Sequence, residues 1–139
     1  MKLKTKFFDE IEINENTILN FQNGIPGFEG YKQYALLDFE EKKIKCLQCI
    51  DNVNICLILI SPWDYNDTYE INISDDEINN LDIKDQKQVL VFNIVTVREN
   101  KITANFVAPI IINVLNNKAM QIVLNNNNYN IREVIECLY

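Results

Sequence analysis

A mainly β-stranded fold is predicted for this chain, and three features of the sequence point to it. Apolar residues recur with period two through most of the chain, as at Ile102, Ala104 and Phe106, the spacing that lines one face of a strand. Short polar turns separate these runs, among them Asn14-Glu15-Asn16, Glu40 to Lys43, Asp51-Asn52 and Glu99-Asn100-Lys101. Ile55 to Ile60 is apolar on both faces, and a strand buried on both sides belongs at the centre of a sandwich or closed sheet. A length of 139 residues fits one domain covering 1–139, and an apolar content of 47% is enough for a real core.

The elements follow in order. Lys2 to Phe8 reads as a strand turning at Asp9-Glu10 into Ile11 to Ile13, and Thr17 to Phe21 as the next. All three glycines then fall within Gly24-Ile25-Pro26-Gly27-Phe28-Glu29-Gly30. Glycine supplies positive φ and proline fixes it near −65°, so this is a shaped loop, with room for a single helical turn. Tyr34 to Phe39, Ile44 to Ile50 and Ile55 to Ile60 are strands, the last ended by Pro62 and an aromatic, acidic loop, with Tyr69 to Ile73 as a short edge strand. One short helix, about 74–82, is signalled by the capping box Ser74-Asp75-Asp76-Glu77, with Ile78 and Leu81 on one face. It is expected to cap an open end of the sheet. Val89 to Val97 is the longest strand and forms a hairpin with Ile102 to Phe106. Pro109 to Asn113 and Met120 to Leu124 are short strands, and Asn125 to Asn128 a loop. Ile131 to Leu138 fits a helical stripe but is short for a helix.

Composition excludes several kinds of chemistry. The chain has no histidine, which removes the usual general base near neutral pH, the commonest metal ligand and the Ser-His-Asp and Cys-His arrangements. Its net charge is −7 and it holds only two arginines, Arg98 and Arg132, a balance unfavourable to direct nucleic-acid or anionic-membrane binding and favourable to a basic partner protein. No run is long enough to span a bilayer, and no apolar stretch follows the basic N-terminus as in a signal peptide, so a cytoplasmic location with free thiols is expected. Cys46 and Cys49 have C-x-x-C spacing, but within a strand they point to opposite faces. Asp64, Asp67 and Glu70 lack the spacing of a calcium loop. Phe28, Tyr31, Trp63, Tyr65, Tyr129 and Tyr139 lie in loops or at the end, where aromatics serve either as interface anchors or as plugs.

Phe21-Gln22-Asn23-Gly24-Ile25-Pro26-Gly27-Phe28-Glu29 resembles the F-x-x-G-I/L-P-G-F-E signature of the flagellar assembly factor FliW family. Further matches follow the family's order: Lys6 to Ile11, Leu47-Gln48-Cys49-Ile50-Asp51, and Thr103 to Asn113 with Lys118 and Gln121 beyond it. Asp9 stands where the family has glycine, and Asp tolerates the left-handed region better than most residues. Cys49 stands in place of a small serine, in keeping with a structural role.

The resemblance implies a small antiparallel β-barrel-like domain with no catalytic residues and no cofactor. It also implies two partners. One is flagellin, held in the cytoplasm before export. The other is the carbon storage regulator, an RNA-binding dimer that represses flagellin translation and is antagonised by the freed factor away from its RNA surface. Two alternatives stay open: a flagellin-specific export chaperone without a regulatory role, and a small ligand-binding β-barrel. Motif density outside plain strand alternation places a candidate partner-binding patch on Phe28, Glu29 and Tyr31, with Ile112, Asn113, Lys118 and Gln121.

Overall fold

The computed structural model describes residues 1–39, 42–125 and 128–136. Its strands are β1 (Lys2–Lys4), β2 (Glu10–Glu12), β3 (Leu19–Phe21), β4 (Gln33–Asp38), β5 (Lys45–Cys49), β6 (Cys56–Ile60), β7 (Val89–Arg98), β8 (Lys101–Ala104), β9 (Ile110–Asn113), β10 (Lys118–Gln121) and β11 (Glu133–Ile135), with one helix, α1 (Asp75–Leu81). Hydrogen-bonded neighbours run β7-β6-β5-β4-β3-β10-β9 and return to β7, which closes a barrel. The pairings are antiparallel except β3 with β10, where Lys118 faces Asn20 and Ala119 faces Phe21. The long stretch of chain between those two strands supplies the crossover that a parallel pair needs.

Strand alternation divides the apolar residues into two cores. Leu19, Phe21, Tyr34, Leu47, Leu59, Phe92, Ile110 and Ile112 point inward and fill the lumen, as side chains do in a barrel this small. Ile58, Ile60, Val91, Val95 and Ile111 point outward from the same wall. They are covered by Tyr69, Ile73, Leu81 and Ile83 of the segment between β6 and β7, and by Ala104, Phe106 and Ile135. This covering explains why β6 is apolar on both faces: one side meets the lumen and the other meets the wrapping segment. β1 and β2 form a separate hairpin, with Lys6 N–H donating to Gln48 Oε1 (3.0 Å) on the outer face of β5.

Several sequence expectations change. The first strand stops at Lys4 because Thr5 bonds across the turn, Oγ1 donating to the Asp9 carbonyl (2.8 Å); Asp9 takes φ 56°, the left-handed geometry its side chain tolerates. Asn14 to Thr17 tightens into a 3₁₀ turn, so β3 begins only at Leu19. Gly24 to Gly30 contains no helical turn. Tyr69 to Ile73 pairs with no strand among the described residues; Tyr69 N–H turns back to the Asn66 carbonyl (3.1 Å) and Glu70 N–H is taken by the Tyr129 hydroxyl (2.8 Å). The ladder of β8 ends at Ala104, although Phe106 is still buried beside it. The strand expected at Met120 to Leu124 lies earlier, at Lys118–Gln121. Within Ile131 to Leu138 the described part is not helical: β11 pairs with β8, and the stripe residues Ile131 and Val134 are 63% and 66% exposed while Ile135 is buried. Leu138 and Tyr139, and part of the Asn125–Asn128 loop, lie outside the described residues.

Candidate partner-binding surface

The loop after β3 is built from consecutive tight turns. Gly24 N–H donates to the Phe21 carbonyl (2.9 Å), Phe28 N–H to Ile25 (2.7 Å) and Tyr31 N–H to Phe28 (2.9 Å). Gly24 and Gly27 take φ 69° and 91°, which glycine adopts without steric cost. Ile25 is buried in the barrel core, and Phe28 and Tyr31 pack against it half-buried. The Tyr31 hydroxyl accepts from Asn52 Nδ2 (3.2 Å), tying the loop to the turn between β5 and β6. Glu29 is exposed, and its carboxylate accepts from Gly27 N–H (2.8 and 3.1 Å). Phe28 and Tyr31 therefore plug the barrel and keep part of each ring at the surface.

The other candidates separate into buried and exposed members. Ile112 sits in the lumen and Asn113 is 1% exposed. Asn113 Nδ2 donates to the carbonyls of Leu81 (2.8 Å) and Asp82 (3.2 Å), and its Oδ1 accepts from Leu115 N–H (3.0 Å). It thus satisfies carbonyls that the end of α1 leaves without helical partners. Lys118 Nζ reaches Asp82 Oδ2 at 2.9 Å and holds that carboxyl below its usual range by hydrogen bond and charge. Gln121 Nε2 donates to the Ala108 carbonyl (2.9 Å). Ile112 and Asn113 hold the framework, whereas Phe28, Glu29, Tyr31, Lys118 and Gln121 keep surface.

A groove of about 500 Å³ runs from Gln22, Asn23 and Lys32, which flank the loop, to Lys118 and Met120. It brings Lys118 close to the loop's ends, while Phe28, Glu29 and Tyr31 lie outside it. Lys32 and Asn80, which also line it, carry no sequence signal, because their meeting depends on the parallel β3–β10 pair.

The cysteines follow strand alternation. Cys49 points into the lumen and Cys46 to the outer face, so the C-x-x-C pair is divided by the sheet. Cys46 instead meets Cys56 on the neighbouring strand. Their hydrogen bond, with burial, pushes the Cys46 thiol far above its usual range, and receiving that bond lowers Cys56.

A closed barrel with a filled lumen and an outer wrap defines a small β-barrel protein. The FliW protein family's sequence model matches residues 2–135. A flagellar assembly factor FliW of Geobacillus thermodenitrificans is 39% identical over 131 residues, 93% of this chain and 91% of the relative. One from Clostridium beijerinckii is 39% identical over 136 residues, covering 96% of both chains. A crystal structure of the flagellar assembly factor FliW superposes with TM-score 0.91 at 37% identity, covering 96% of each chain. The chain belongs to the FliW family of flagellar assembly factors.

Proposed function

We propose that the protein serves flagellar assembly by holding flagellin in the cytoplasm and, once freed, by binding the carbon storage regulator and relieving its repression of flagellin translation. The observation that carries the proposal is similarity along nearly the whole chain to flagellar assembly factors. The acidic balance supports it, since an RNA-binding dimer presents basic surface and opposite fields raise association rates. A lumen filled by Phe21, Tyr34, Leu47 and Leu59 favours this reading over a ligand-binding barrel. The contact patch is assigned to Phe28, Glu29 and Tyr31 with Lys118 and Gln121, framed by Ile112 and Asn113.

Size-exclusion chromatography of the protein with flagellin and with the regulator, separately and together, tests the proposal. Exclusive complexes with each are expected, and association with the regulator should slow as salt rises. Co-elution with neither would overturn the reading. Flagellin alone would support the chaperone version, and a ternary complex would argue against partner switching. Phe28→Ala combined with Glu29→Gln, which keeps an acceptor for Gly27 N–H, should weaken one partner; unchanged affinity for both would remove the patch.

A further inference from the structure

Residues 69–73 carry the side-chain pattern of a strand and pair with no strand among the described residues. Tyr69 is buried, Glu70 exposed, Ile71 half-buried, Asn72 exposed and Ile73 half-buried, the alternation of a strand with one covered face. The backbone of Ile71, Asn72 and Ile73 makes no hydrogen bond to any described residue. An unpaired edge of this kind is a template for another chain. Beside it lies an apolar groove of about 560 Å³ walled by Trp63, Ile71, Ile73, Ile78, Ile83 and Val89. Trp63 Nε1 donates to the Tyr69 carbonyl (2.9 Å), so the indole is fixed in place while 43% of the residue stays exposed.

Charge is concentrated in the same place. Residues 62–88 carry eight carboxylates against Lys84 and Lys87, a balance of −6 in a chain whose formal charge is −7. Glu70 lines the groove itself, Asp75 to Glu77 begin just past Ser74, the residue after the lining Ile73, and Asp85 precedes the lining residue Gln86. A second copy of the chain would bring like charge against like, and nucleic acid would be repelled.

We infer that an extended, lysine- or arginine-bearing segment of a partner protein adds as a strand along Ile71–Ile73. Its alternate apolar side chains enter the groove and its cations meet the acidic border. Strand addition draws affinity from backbone bonds and specificity from side-chain pockets, and both are on offer here. A docked helix bonds its own backbone internally and would leave the Ile71–Ile73 groups unpaired. The inference rests on the unpaired segment, the groove and the charge, independently of the flagellar partners named above.

The probe is a short fluorescein-labelled peptide of alternating lysine and valine, titrated with the intact protein at low salt and read by fluorescence anisotropy. Binding is expected for this peptide and not for its glutamate–valine counterpart. N-methylation of the central amides keeps charge and apolar content but removes backbone donors, and should weaken binding by roughly tenfold or more. Asn72→Pro deletes an amide hydrogen that has no partner within the described fold, so thermal melting should be unchanged while peptide affinity falls by a similar factor. Failure of the lysine–valine peptide to bind would overturn the inference. So would equal binding of the methylated peptide, an arm that uses the unaltered protein and stands even if Asn72→Pro does not fold.

Discussion

Gly24 and Gly27 share a positive φ, yet their surroundings differ. A Cβ on Gly24 would lie 2.7 Å from both the Cα and the carbonyl oxygen of Glu29, whereas a Cβ on Gly27 meets nothing within 4 Å. Both alanine substitutions carry the strain of a left-handed backbone, about 1–2 kcal/mol, but only Gly24→Ala also forces backbone apart. Gly24→Ala should therefore destabilise by roughly 3 kcal/mol or more and Gly27→Ala by about 1 kcal/mol, measured by urea unfolding. Equal losses would show that the close approach of residue 24 to residue 29 has no energetic weight. The same reasoning recasts the F-x-x-G-I-P-G-F-E stretch: Gly24 permits the approach, Ile25 plugs the core and Glu29 ties down Gly27 N–H. The motif's density reflects backbone requirements as much as partner contact, which is why it was legible in the sequence while the contacts were not.

At the scale of elements, α1 shows what a local signal can and cannot carry. Ser74 accepts from Glu77 N–H (3.2 Å) and Ser74 N–H donates to Glu77 Oε1 (3.0 Å), the reciprocal cap expected from four consecutive residues. A helix of seven residues is too short to persist on propensity, so cap and packing hold it jointly. Ser74→Ala should lower stability by about 1 kcal/mol and thermal melting by a few degrees. A drop many times larger would mean that the helix and the outer core melt together. The far end of α1 was not legible, because its carbonyls are satisfied by Asn113, some thirty residues on. The same division runs through the fold. The β7–β8 hairpin was readable because its turn is local, with Glu99 and Asn100 both at positive φ. β11 stays ambiguous in the sequence, where it also fits a short helical stripe, because its partner, β8, is remote in sequence. Tyr69 to Ile73 has a strand's alternation without a strand neighbour among the described residues, and no sequence pattern reports an absent neighbour.

At the scale of the whole molecule, the two cores set how the fold responds to alkali. Tyr34 lies in the lumen at 0% exposure and Tyr69 in the outer core at 3%. Burial, aided by neighbouring Cys49 and Tyr31, pushes the Tyr34 hydroxyl up to about 12, and burial does the same for Tyr69 against the opposing hydrogen bond from Asn93. A folded-state value above the unfolded value of 10.0 means that the native protein keeps these protons after the unfolded chain has released them. Stability from both tyrosines is therefore complete below pH 10 and declines as pH rises from 10 towards 12, with a limiting slope of about 1.4 kcal/mol per pH unit for each group. Far-UV circular dichroism and tyrosinate absorbance should report one joint transition in that window, the buried tyrosines ionising only as the strands are lost. Two substitutions separate the cores. The Tyr34 hydroxyl has no partner among the described residues, so Tyr34→Phe removes an unsatisfied group; it should leave neutral-pH stability level or raise it by up to about 1 kcal/mol, and move the alkaline transition upward. The Tyr69 hydroxyl donates to the Phe106 carbonyl at 2.6 Å, so Tyr69→Phe gives up that bond and strands a buried acceptor, at a cost of about 1–3 kcal/mol at neutral pH. If every tyrosine titrates near pH 10 while the circular dichroism holds steady, neither hydroxyl is sealed, and the barrel and its wrap open to solvent without unfolding.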